Sequence, residues 1–182
     1  RYAFRAFPGP AEWPGRRIQA AERKVPMPTG RIHPTALISP QAELGAEVEV
    51  GPYAVIHGGV IVGARTHILS HACLCEGTRL GEDCRVHMAA VIGHEPQHFA
   101  YKGEPTLALV GDRVTVREHA TIHRSTGEGT ETRVGNDCLL MVGSHVAHNC
   151  RLGDGVILAN GAQLAGHVLV DERALISGNV VI

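Results

Sequence analysis

Aromatic side chains are nearly missing from most of this chain. Of seven in 182 residues, Tyr2, Phe4, Phe7 and Trp13 fall within the first thirteen positions, and after Met27 only Tyr53, Phe99 and Tyr101 remain. A core assembled around rings is therefore excluded for the bulk of the sequence. Long apolar runs are missing too. None approaches the roughly 18 residues of a bilayer-spanning helix, and the first thirty residues lack the apolar stretch of a secretory signal. The expectation is a cytoplasmic protein with no membrane span. Charge of one sign is equally scarce. Lys and Arg number 17 against 18 Asp and Glu, a formal net charge of −1, which offers no footprint for nucleic acid or an anionic membrane. The five cysteines (Cys73, Cys75, Cys84, Cys138, Cys150) form no C-x-x-C pair. Their odd number argues against a disulfide framework and their spacing against a zinc ribbon.

What the chain does have is a period of six. Positions 32, 38, 44, 50, 56, 62, 68, 74, 80, 86 and 92 are all Ile, Leu or Val, and the series continues in the same phase to Ile182. His98, Glu104 and Glu128 are its exceptions. Four residues after each aliphatic stands a small side chain, as at Ala36, Ala54, Ala72, Cys84, Ala90, Cys138, Ser144, Cys150 and Ala162. Glycine often follows the aliphatic directly, as in Leu44-Gly45 and Leu152-Gly153. Six matches neither the 3.6 of an α-helix nor plain strand alternation. It fits a short strand plus a corner. Three such units close a triangular coil in which every third hexad stacks, each coil burying its edges against its neighbours. The predicted fold is all-β, a left-handed parallel β-helix of hexapeptide repeats. Its narrow interior has no room for rings.

Residues 32–182 read as the β-helix domain. Residues 1–31, basic, proline-bearing and aperiodic, read as an N-terminal extension that is non-native or disordered. Stretches 93–109 and 123–133 break the pattern and carry turn formers such as Pro96, Gly103, Pro105, Gly127 and Gly129. A solenoid tolerates excursions only outward, so both are expected as external loops with a functional role.

Histidine is abundant, at twelve residues. His145 and His148 flank one corner, and His167 follows His148 by about one coil. The three should cluster on one edge, while His119 and His123 belong to the coil before the second loop. A near-neutral imidazole suits removal of a hydroxyl proton, and backbone N–H groups near Gly166 could hold a developing oxyanion. A covalent route through Cys150 is disfavoured because that position lies in the inward small-residue register.

At these residues the sequence resembles the UDP-N-acetylglucosamine O-acyltransferases, which catalyse the first step of lipid A synthesis. The likeness is carried by Ile32-His33-Pro34-Thr35-Ala36, by Pro96-Gln97 with Tyr101-Lys102-Gly103-Glu104-Pro105-Thr106, and by Thr121-Ile122-His123-Arg124. It continues through Leu139-Leu140-Met141, His145-Val146-Ala147-His148 and Leu164-Ala165-Gly166-His167-Val168. The resemblance implies a cytoplasmic homotrimer with active sites between subunits. It implies transfer of a (3-hydroxy)acyl group from acyl carrier protein to the sugar 3-hydroxyl, without cofactor, metal or covalent intermediate. It further implies that His148 is the general base, Gly166 the oxyanion-hole glycine, and His145, His167, His123 and Gln97 substrate contacts. Asn149 stands where the family usually has Asp, and His98 and Ala100 stand where an Asp and a Lys are common. The family continues beyond the equivalent of Ile182 with more coils and a helical domain, so the chain is expected to be truncated.

Three other readings remain. A γ-class carbonic anhydrase-like zinc enzyme closes its site with an H-x4-H pair, whereas the close pairs here are His94-x3-His98, His119-x3-His123 and His145-x2-His148. A related sugar N-acyltransferase and an inactive β-helix scaffold or fragment are the others.

Overall fold

A computed structural model describes residues 32–182, so the expectation for segment 1–31 lies outside the described residues. Strands, most of two residues, recur along the coil, 21 among the described residues. They build three parallel seven-stranded sheets, the walls of a triangular coil. Wall one runs from Leu37–Ile38 to Gln163–Leu164, wall two from Glu43–Leu44 to Leu169–Val170, and wall three from Glu49–Val50 to Leu175–Ile176. Consecutive strands occupy consecutive walls, and each pairs with its counterpart one coil away, as Val55 with Cys73 and Ile56 with Leu74. This is the left-handed parallel β-helix that the period of six predicts.

In each two-residue strand the second residue points inward. Ile56, Ile68, Leu74, Ile92, Ile122, Leu140, Leu158 and Leu164 are fully buried, together with Ala54, Ala72, Ala90, Cys150 and Ala162 of the small register. The glycine after the aliphatic answers to crowding between coils. A Cβ on Gly135 would lie 2.7 Å from the backbone of Gly153 and Asp154, closer than any side chain can stand.

The corners carry a third register. A residue with left-handed φ recurs there, as at Glu47, Tyr53, Gly59, Arg65, His71, Asn149 and His167. Most such residues donate their N–H to the preceding coil, to the carbonyl just before that coil's own left-handed residue. His71 N bonds Pro52 O at 3.1 Å, Arg113 N bonds Glu82 O at 2.8 Å, and His167 N bonds His148 O at 3.0 Å. These bonds offset the conformational cost of a left-handed side chain.

Both interruptions leave the coil at the same corner, between walls one and two, in consecutive coils. Their strands extend further than the hexad pattern suggests. Val91–His94, Leu107–Val110, Thr121–His123 and Glu131–Val134 are strand, which narrows the excursions to 95–106 and 124–130. The rule that every third hexad stacks fails across them. Ile92 pairs with Ile122 instead of Val110, and Thr121 with His145 instead of Leu139. The inserts add two hexads and one hexad, so the aliphatic phase passes through them unchanged and conceals the change of register.

Adjacent leucines on opposite faces of one strand test this packing. Leu140→Ala, inside, should lower unfolding free energy by about 2–5 kcal/mol. Leu139→Ala, outward and half-buried, should cost clearly less. Urea unfolding of the two variants measures the difference, and equal losses would contradict the inward register.

Candidate active site

The corner that carries the inserts also carries the histidine cluster. Ala147-His148-Asn149 and Ala165-Gly166-His167 are successive corners of that column, immediately after the inserted coils. His148 is buried, and its Nδ1 lies 2.9 Å from Asn149 Oδ1. The orientation of that amide is set elsewhere. Asn149 Nδ2 donates to Thr126 O at 3.1 Å, and Thr126 N donates to Asn149 Oδ1 at 3.1 Å. An oxygen so placed can only accept from His148, which therefore carries its proton on Nδ1 and leaves Nε2 with a free lone pair. Asn149 also donates its own N–H to Thr132 Oγ1 at 2.8 Å, which ties the corner to the strand that follows the second insert.

Gly166 covers the imidazole. A Cβ there would stand 2.6 Å from His148 Nε2 and 3.0 Å from Nδ1, so any side chain would displace the ring. The Gly166 N–H meets no acceptor among the described residues, leaving a donor free beside the ring. His167, exposed at the left-handed corner position, packs edge-on to His148 with ring centroids 5.3 Å apart.

A row of imidazoles continues along wall one. His145 and His123 lie 4.7 Å apart, and His123 and His94 6.2 Å. His145 Nδ1 is held at 2.7 Å by Thr121 Oγ1, but the buried His123 Nδ1 has no hydrogen-bond partner among the described residues. Burial, reinforced by His145, His94 and His148, pushes the His123 imidazole down to about 4. Burial and then His148 also push His145 down. These two rings are thus neutral at physiological pH.

The two inserts brace one another over this corner. Arg124 donates through Nε and Nη2 to Tyr101 OH at 3.0 and 2.8 Å. Glu104 accepts from Gly127 N at 2.8 Å and Lys102 N at 2.7 Å, and these backbone donors hold its carboxyl at about 2. From the first insert His98 reaches back until its ring stands 4.7 Å from that of His148.

Of the residues singled out from the sequence, His148, Gly166, His145, His167 and His123 come together on this corner and the wall leading into it. Gln97 is not tied to them. It lies exposed in the first insert and makes no side-chain hydrogen bond among the described residues. His98, its neighbour, is the contact that sequence reasoning missed. Its position inside an insert, as a polar exception to the aliphatic register, is the signal that could have found it. Cys150 is fully buried, donates to Ala165 O at 3.0 Å, and has its thiol pushed up by burial, all unfavourable to a nucleophile. The imidazole row brings no three ligand atoms to one point among the described residues.

A family model described as bacterial transferase hexapeptide (six repeats) matches residues 131–166. The acyl-[acyl-carrier-protein]–UDP-N-acetylglucosamine O-acyltransferase of Chlamydia pneumoniae is 43% identical over 118 residues, 65% of this chain and 42% of its own length. The enzyme of the same name from Halorhodospira halophila is 47% identical over 120 residues, 65% of this chain and 46% of that protein. The solved structure of a UDP-N-acetylglucosamine acyltransferase from Bacteroides fragilis superposes with a TM-score of 0.81 at 40% identity, over 83% of this chain and 59% of that one. The chain spans about half the length of the curated relatives it matches. Over the β-helix, the resemblance read from the sequence holds.

The depressed His123 imidazole makes a testable link to stability. An unfolded histidine takes a proton near pH 6.5, whereas the folded state refuses it until about 4. Between those values the unfolded chain binds more protons, so stability falls as pH drops from 6.5 to 4 and is unaffected by this group above 6.5. The loss should reach about 3 kcal/mol at most. His123→Gln, which cannot take the charge, should lose less melting temperature between pH 7 and pH 4.5 than the wild type. Equal losses would place the acid sensitivity elsewhere.

Proposed function

We propose that this chain, whose β-helix is homologous to the UDP-N-acetylglucosamine O-acyltransferases, belongs to a protein that transfers a (3-hydroxy)acyl group from acyl carrier protein to the 3-hydroxyl of UDP-N-acetylglucosamine. One observation carries the reading. His148 offers an unprotonated Nε2 beside a free backbone N–H at Gly166, between His145 and His167 and next to two interlocked inserts.

In this reading Nε2 takes the proton of the sugar hydroxyl as its oxygen attacks the thioester carbonyl. The Gly166 N–H receives the charge that develops on the carbonyl oxygen. Asn149 Oδ1 holds the imidazole in the required tautomer and accepts from Nδ1 once the ring is cationic. Collapse of the tetrahedral intermediate expels the carrier thiolate, which takes the proton back from His148. No cofactor, metal or covalent enzyme intermediate enters. His145, His167 and His123 bind and position the sugar. Gln97 is carried as a substrate contact by the family resemblance alone. The same resemblance supports a cytoplasmic homotrimer with sites between subunits and a β-helix domain over 32–182.

A sugar amine as acceptor is the second reading. Asn149 supplies no negative charge to stabilise the imidazolium, and an amine asks less of its base than a hydroxyl does. Assays with UDP-N-acetylglucosamine and its 3-amino analogue decide between them, and turnover of neither would leave the inert-scaffold reading.

His148→Ala should lower kcat by about 10²–10⁴-fold with little change in KM, whereas Cys150→Ala should be nearly silent. Near-normal kcat in the first, or a loss of several hundredfold in the second with the fold intact, would overturn these roles. Asn149→Asp should move the acidic limb of the rate profile to higher pH by stabilising the imidazolium. It should also lower stability, because its second oxygen would face the Thr126 carbonyl that Asn149 Nδ2 now satisfies. An unmoved profile would remove position 149 from the mechanism.

A further inference from the structure

Further back along the same wall and corner, in the coils just before the first insert, stands a group of ligands that the acyl-transfer chemistry does not use. Cys73 and Cys75 occupy one face of wall one, with the inward Leu74 between them. Their Sγ atoms lie 3.8 Å apart. From the preceding coil, His57 brings its Nε2 to 3.9 Å from Cys73 Sγ. The three ligand atoms all fall within 4.8 Å of one another, with Cys75 buried, Cys73 half-buried and His57 exposed.

We infer that His57, Cys73 and Cys75 form a binding site for a thiophilic metal ion, Zn²⁺ above all, with a fourth position open to solvent.

The geometry suits zinc. Two thiolates each about 2.3 Å from a tetrahedral zinc lie about 3.8 Å apart, and a thiolate and an imidazole nitrogen about 3.6 Å apart. The sulfurs already stand at the first distance and His57 Nε2 is 3.9 Å from Cys73 Sγ; the exposed imidazole has to swing toward Cys75, from which it stands no more than 4.8 Å away. A disulfide fits less well. Residues i and i+2 of a strand have Cα atoms about 6.6 Å apart, near the upper limit for a disulfide bridge. Two thiolates and one imidazole select a soft or borderline cation over Mg²⁺ or Ca²⁺. Arg124, which runs past this corner, is engaged elsewhere. It bonds Tyr101, Glu95 and the carbonyls of Glu76 and Gly93, leaving the sulfurs to each other and to His57. The open position makes this a site with room for one exogenous ligand, as in three-ligand zinc centres.

The chain's own spacing contains the site, although no C-x-x-C does. His57 and Cys75 stand one full coil apart in a stretch without inserts, and the fold brings Cys73 alongside as the neighbouring outward residue of the same strand.

Cobalt(II) tests this directly, because its spectrum reports sulfur ligands separately from histidine. Reduced protein stripped with a chelator should take up one equivalent of Co²⁺ per chain, with thiolate-to-cobalt charge-transfer absorption and the intense visible bands of tetrahedral geometry. Zn²⁺ should displace it. The Cys73→Ser/Cys75→Ser double variant should lose the charge-transfer absorption altogether. His57→Ala, an exposed change that leaves both sulfurs in place, should weaken Zn²⁺ binding at least about tenfold. Circular dichroism checks that each variant keeps its fold, and His57→Ala decides the matter if the double variant does not. No charge-transfer absorption in the wild type overturns the site. So does unchanged Zn²⁺ affinity in folded variants, which would place the metal on the imidazole row.

Discussion

Everything in this molecule rests on the backbone bond from one coil to the next. A two-residue strand has too little of its own to be stable, and a single triangular turn leaves both edges unpaired. Parallel pairing satisfies those edges only if each coil repeats the path of the last. That requirement explains the inward aliphatic, the small residue at the crowded bend, the glycine whose missing Cβ lets neighbouring backbones close up, and the left-handed corner residue bonded to the coil before it. The His148–His167 contact is one instance of the last rule, since the bond from His167 N to His148 O is the corner bond that recurs along the solenoid.

A scaffold this repetitive has little scope to create a pocket by bending. It makes one by letting chain out. Both inserts leave through the corner between walls one and two, and they close on each other through Arg124–Tyr101 and Glu104–Gly127. Their second effect is chemical. Thr126, in the second insert, fixes the amide of Asn149, which in turn fixes the tautomer of His148. A loop backbone thus decides which nitrogen of the base is free. Burial keeps the neighbouring His123 and His145 neutral, so the row offers polar contacts without accumulating positive charge beside a ring that must itself become cationic.

One corner column therefore presents two different clusters. The imidazoles run along wall one from His94, before the first insert, through His123, between the inserts, to His145, and on to His148 and His167 at the following corner. The His57, Cys73 and Cys75 group occupies positions earlier along the same wall. The difference is chemical: imidazoles around a free amide in one, two sulfurs and a single imidazole in the other.

The period of six by itself determined the fold, because only a stacked three-walled coil gives every sixth residue the same environment over so long a stretch. It also determined that Cys150 faces inward, and that His148, Gly166 and His167 meet, since those lie about one coil apart with no insert between them. What crosses the inserts could not be read from the period. His123 lies beside His145 because a one-hexad insert lengthens the coil from three hexads to four while leaving the aliphatic phase intact. The reach of His98 to His148 depends on the path of an irregular loop, where no repeat constrains the backbone. The tautomer of His148 depends on a three-way contact among a corner amide, an imidazole and a loop backbone. Those were decided by tertiary structure, because each is a meeting of groups whose separation in sequence obeys no period.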